Sequence, residues 1–124
     1  MHRDIQWTSI MKEGVNDKWE VNNYEHACVS PARSPYNKLD RQTHAPEIFS
    51  INGSHNQAVD IWSIGHLIKT ATSDQKLIEY SEKLMDTDPN KRPSAKRACH
   101  WLWSEYRSYL EADFSRESSM EEIL

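Results

Sequence analysis

Between Asn56 and Ala71 the apolar positions Val59, Ile61, Trp62, Ile64, Leu67 and Ile68 fall on more than one side of a helical wheel. That pattern predicts a helix enclosed by the rest of the chain rather than laid on a surface. Thr72-Ser73-Asp74-Gln75 follows and reads as a capping box, with the Thr72 hydroxyl and the Gln75 amide serving opposite backbone donors. Leu77, Ile78, Leu84 and Met85 then recur at amphipathic spacing, which predicts a second helix. Asp88-Pro89 sets an N-cap acceptor before a proline suited to a first turn. From Ser94 a further helix is predicted, with Ala95, Ala98, Cys99, Leu102, Tyr106 and Leu110 along one face. Residues 1 to 50 mix Asn, Ser, Pro and charge with little periodicity, so loops and short strands are expected there, irregular around Ser30 to Arg41. Loops of that kind would carry any chemistry. The stretch from Glu111 to Leu124 is acidic and weakly periodic and is left unassigned. No internal repeat or low-complexity tract is present.

Composition narrows the class without naming a task. The 124 residues suffice for one domain with a core, and the charged fraction of 27% is ordinary for a globular chain. A net charge of -4 supplies no general attraction for nucleic acid or an anionic membrane. No apolar run approaches the ~18 residues of a membrane-spanning helix, and no signal-peptide pattern opens the chain, so a cytoplasmic protein is expected. The two cysteines, Cys28 and Cys99, are too few for a disulfide framework and are expected to be reduced.

Four segments then stand in order: His2-Arg3-Asp4-Ile5, Ala45-Pro46-Glu47, Asp60-Ile61-Trp62-Ser63-Ile64-Gly65, and Asp88-Pro89-Asn90-Lys91-Arg92-Pro93-Ser94-Ala95. Together they resemble the C-terminal lobe of a protein kinase over about residues 1 to 110. The resemblance implies a mainly α fold, a kinase-like C-lobe fragment with a short β-hairpin near the N-terminus and no N-terminal lobe, with 111–124 as an acidic tail. It also implies a general base at Asp4 beside Arg3, in a loop that would face Mg-ATP. Where that family has a phosphate-contacting Lys this chain has Gln6, and where it has a metal-holding Asn this chain has Ser9. The best counterpart of the metal-binding Asp-Phe-Gly segment is Asn23-Tyr24-Glu25, after a strand at Trp19-Glu20-Val21-Asn22. Asn23 lacks the charge a hard dication prefers, and Glu25 removes the freedom of a glycine.

The same resemblance assigns framework roles. Glu47 is expected to form a buried bidentate ion pair with Arg92. Asp60 is expected to open the central helix and accept backbone N–H bonds from the His-Arg-Asp loop, with Trp62 packed beside it. The missing glycine-rich loop, strand lysine and helix glutamate imply that no cofactor binds this chain, although the ancestral ligand would be Mg-ATP. The short interval between Gly65 and Asp88 also argues against peptide-substrate docking.

Two functions from different classes follow. The first is a catalytically silent, pseudokinase-like fragment that binds a protein partner through exposed lobe surface. The alternative is a serine/threonine-type kinase that transfers the ATP γ-phosphate and needs an N-lobe absent from this chain. Ser30-Pro31 and Ser34-Pro35 resemble proline-directed phosphorylation sites that Arg3 would face, but ordinary turns account for both. The pairs His26/Cys28 and Cys99/His100 lack zinc spacing. The cluster Trp101, Trp103, Tyr106 and Tyr109 is read as packing rather than a base-stacking surface.

Overall fold

A computed structural model describes residues 1–14, 18–51 and 53–107; the expectations for Tyr109, Leu110 and the 111–124 tail lie outside these residues. The chain divides into two compact units, Met1–Pro93 and Ser94–Leu124. The described structure is mainly helical, with one two-stranded antiparallel hairpin near the N-terminus.

Strands β1 (Ile10–Glu13) and β2 (Lys18–Val21) pair with Ile10 opposite Val21, Met11 opposite Glu20, Lys12 opposite Trp19 and Glu13 opposite Lys18. Paired residues share a face and successive pairs alternate. One face therefore carries Ile10, Val21, Trp19 and the aliphatic stem of Lys12, and the other carries Met11, Glu20, Glu13 and Lys18. Every β2 residue is exposed, so the apolar face has little cover.

The core of this unit gathers Ala45, Ile48, Phe49, Val59 and Trp62, with Met1, Tyr36, Leu39 and Met85 packed against it. Helix α1 (Ala58–Ala71) runs through it and buries Val59, Ile61, Trp62, Ser63, Gly65 and Leu67. Burial on several sides holds for the first three turns, and the helix emerges at Lys69, Thr70 and Ala71. A 3-10 turn, Pro46–Phe49, lays Ile48 and Phe49 into the same core.

Helix α2 (Gln75–Leu84) packs on α1. Its N-cap is Asp74, whose carboxylate accepts from the amides of Lys76 and Leu77. That corrects the expected capping box at Thr72. Thr72 instead closes α1, and its hydroxyl accepts from the Asp74 amide. The carboxylate, a stronger acceptor than a hydroxyl, takes the cap. Asp88 caps the 3-10 turn Pro89–Lys91 through the Asn90 amide, as its place before a proline predicts.

In the second unit residues 95 to 107 are helical (α3). Ser94 opens the helix: its hydroxyl accepts from the Arg97 amide and its carbonyl from the Ala98 amide. On the expected apolar face Ala98 is buried and Leu102 and Tyr106 half-buried, but Ala95 and Cys99 are exposed. Trp101 meets Tyr106 at 6.0 Å between ring centroids, whereas Trp103 is exposed with the Arg107 guanidinium 5.8 Å from its ring. No helix among the described residues is long and apolar enough to cross a membrane.

Gly65 sets the distance between α1 and α2. A Cβ there would lie 2.8 Å from Leu84 Cβ and Met85 Cγ and 2.9 Å from the Ser81 carbonyl oxygen. Because one of these is backbone, the helices must separate to admit a methyl group. Gly65→Ala is expected to destabilise the fold by about 1–3 kcal/mol. Thermal unfolding should show a midpoint lower by roughly 4–8 °C for each kcal/mol; an unchanged midpoint would refute the close approach.

Candidate functional site

The N-terminal loop is held by one side chain of α1. Asp60, in the first turn, accepts the His2 amide on Oδ2 at 2.8 Å and the Arg3 amide on Oδ1 at 2.9 Å. Two adjacent N–H groups point at one carboxylate because Arg3 adopts φ +71, a left-handed conformation that non-glycine residues seldom take. The His2 ring is fixed at both nitrogens, with Nε2 2.8 Å from the Asn22 carbonyl and Nδ1 accepting from the Asp4 amide.

The Arg3 side chain runs inward. Its Nε donates to the His26 carbonyl at 2.6 Å, its guanidinium lies 3.9 Å from the centre of the Tyr36 ring, and Nη1 approaches His55 Nε2 at 3.4 Å. Among the described residues no carboxylate pairs with this buried guanidinium; a carbonyl, a π face and a ring nitrogen surround it.

Asp4 is largely buried and its Oδ1 serves two partners. It accepts from Gln6 Nε2 at 2.7 Å and lies 2.8 Å from His44 Nε2. The other nitrogen of His44 lies 2.8 Å from the Asp40 carbonyl and 3.0 Å from the Thr43 hydroxyl. Gln6 and Ser9 close their own turn: the Gln6 amide donates to the Ser9 hydroxyl, which donates back to the Gln6 carbonyl. Ser9 is 1% exposed, so its hydroxyl is committed to the loop. A groove of about 280 Å3 opens beside this loop, lined in part by Gln6, Trp7, Thr43, His66 and Leu67. Asn23 is exposed in a left-handed conformation, φ +63, with Glu25 also exposed, and neither joins the Asp4 cluster. Among the described residues no group of three or more His, Cys, Asp or Glu is arranged to hold a metal ion.

Farther along, Arg92 reaches Glu47 with both terminal nitrogens: Nη1 bonds Oε1, and Nη2 donates to Oε2 at 2.9 Å. Nη1 also donates to the Ala58 carbonyl and Nε to the Asp86 carbonyl. Trp62, two residues after Asp60 on α1, stacks on His66 one turn farther along, with 5.5 Å between centroids.

Two histidines are held away from the charged form. Burial lowers the pKa of His55, with the Arg3 charge adding to the effect and Glu47 opposing it. Burial likewise lowers that of His66, with His44 and Lys69 adding to it.

Comparison with known proteins bears on what this geometry belongs to. The chain is 35% identical over 109 residues to Crinkler effector protein 8 of Phytophthora infestans, an alignment that covers 82% of this chain and 18% of that protein. No family model matches. The protein kinase assignment, with its pseudokinase variant, is therefore corrected. The relative is named as an effector, no kinase model matches, and family roles for Asp4, Arg3, Gln6, Ser9 and Asn23 are carried no further. Short motifs in order misled because they describe loops and helix starts, which unrelated functions share.

Sequence reasoning missed His44 and His55. Each is an isolated histidine in a loop, and only the fold brings His44 to Asp4 across 40 positions and His55 to Arg3 across 52.

Two outcomes are expected. Glu47→Gln should strand a buried guanidinium and cost about 3–5 kcal/mol in denaturant unfolding; Arg92→Lys keeps a charge but loses the fork and should also destabilise. A loss below about 1 kcal/mol for Glu47→Gln would contradict the pair. For pH, the unfolded chain binds protons at histidines near pH 6.5 that folded His55 and His66 resist. Their contribution is complete above that pH and is lost as pH falls below it. The thermal midpoint should be lower at pH 5.5 than at 7.5, and His66→Gln should reduce the difference.

Proposed function

We propose that the Met1–Pro93 unit is a protein-binding module, the counterpart of a segment of a Crinkler-type effector protein. The observation that carries the reading is the uncovered apolar face of the hairpin. Trp19 is 65% and Val21 41% exposed on that face, with Tyr24 at 62% close by, its hydroxyl bonded to the Val21 carbonyl. Tryptophan and tyrosine supply large contact area at low entropic cost and dominate the energetics of protein interfaces. A two-stranded hairpin alone is marginal in water, so a partner laid on its apolar face would order the strands as it binds. Both cysteines are free thiols, which suits a reducing compartment such as the cytosol.

Replacing Trp19 with a photo-crosslinking benzoylphenylalanine tests the reading, with the same group at exposed Glu82 on α2 as control. A discrete adduct with a second protein is expected from position 19 alone, weakened at least tenfold by Val21→Thr in a chain that unfolds at the unchanged temperature. Equal adducts from both positions, or none from position 19, would reject the hairpin as the binding face.

A further inference from the structure

The hairpin ladder fixes which backbone groups of β2 lie on its outer edge. The Asn22 amide donates to the Ser9 carbonyl at 2.8 Å, just beyond the Ile10–Val21 pair. In an antiparallel ladder hydrogen-bonded pairs alternate with open ones, so Met11–Glu20 and Glu13–Lys18 are the bonded pairs. Lys18 and Glu20 therefore spend their backbone groups on β1. Trp19 and Val21 turn theirs to the edge, which no third strand covers among the described residues. The Val21 carbonyl already accepts from the Tyr24 hydroxyl at 2.7 Å. Among the described residues nothing takes the backbone amide or carbonyl of Trp19.

An unpaired edge beside an exposed tryptophan specifies an extended backbone as its occupant. The side chains specify which one. Strand β2 reads Lys18-Trp19-Glu20-Val21, charged and apolar in alternation and exposed throughout, and it is complementary to itself in one antiparallel register. With a two-fold axis at Trp19, the Trp19 backbones of both copies exchange their edge hydrogen bonds, and Lys18 of each copy stands opposite Glu20 of the other. Opposite charges in directly facing positions stabilise a sheet, and like charges destabilise it. The Trp19 side chains meet across the axis on the face away from these charges. Neighbouring registers are worse. Setting Trp19 opposite Val21 places Glu20 against Glu20, and both that register and one centred on Val21 compete with the Tyr24 hydroxyl for the Val21 carbonyl.

We propose that β2 joins β2 of a second copy of this chain, edge to edge and antiparallel about Trp19, to form one four-stranded sheet. The proposal rests on the reading of the hairpin as the binding surface and names its partner. Joining gives each marginal hairpin the neighbouring strands it lacks.

Sedimentation equilibrium of the purified full chain tests it and should show a reversible monomer–dimer equilibrium. Lys18→Glu opposes carboxylates across each contact, and Glu20→Lys opposes ammonium groups. Each variant alone should dimerise about tenfold more weakly, and an equimolar mixture of the two should recover the original affinity to within about threefold, because opposite charges face each other again. Lys18 also faces Glu13 within the hairpin, so should Lys18→Glu not fold, a second measurement decides. The purified chain with benzoylphenylalanine at position 19, mixed with 15N-labelled unmodified chain, should give an adduct with the mass of one copy of each. A dimer indifferent to both charge changes, or variants that do not recover on mixing, would overturn the proposal. A chain that stays monomeric at every concentration and crosslinks from position 19 only to a different protein would overturn self-pairing and leave the hairpin reading standing; no adduct from position 19 in either setting would overturn both.

Discussion

The Arg92 guanidinium has no exposed side-chain area, and its position decides how three separate segments meet. It grips Glu47 from the 46–49 turn, the Ala58 carbonyl at the first residue of α1, and the Asp86 carbonyl in the link after α2. A planar fork satisfies all of these at once only if those segments lie at fixed angles, which a flexible ammonium would not enforce. Burying such a pair gives little net stability, because both ions leave water. What it supplies is register: any arrangement that separates Glu47 from Arg92 leaves a charge stranded in the interior. The apolar cluster of Ile48, Phe49, Val59 and Trp62 supplies the driving force, and the ion pair selects one packing of it.

Asp60 carries that order to the N-terminal loop. Its charge sits in the first turn of α1, where a carboxylate is favoured by the helix dipole, and it collects two backbone amides from a loop 57 and 58 positions away. Strain at Arg3 is tolerated because those bonds over-determine it. Once the backbone is fixed, the Arg3 side chain has one route inward, past Tyr36 to His55, and Asp4 is turned toward His44. The candidate site is thus the downstream consequence of one carboxylate.

The parts legible in the sequence were those written locally. The periodicity of Val59 to Ile68 marks α1, and apolar spacing marks α2, because each helix must hide a face wherever it packs. The α2 cap was misread by two positions since Thr72 and Asp74 both suit an N-cap, and only the path of the chain out of α1 decides between them. Contacts spanning 45 positions, such as Glu47 with Arg92, are encoded in neither residue's neighbourhood. That pairing entered the reading through a family resemblance that the comparisons do not support, and geometry now stands in its place.

The buried histidines show why side-chain accounting adds what pattern reading cannot. His2, His44 and His55 are each at most 7% exposed, and composition treats them as equivalent. In His2 and His44 both ring nitrogens meet partners, so their burial is explained by the loops they join. His55 faces a cation on one nitrogen, which fixes the hydrogen on the other, and there no described residue supplies an acceptor. Desolvation lowers the pKa of the ring and so disfavours charging it. A packed apolar residue would leave the buried Arg3 guanidinium one partner fewer, so the imidazole at that position is accounted for by the nitrogen that meets Arg3.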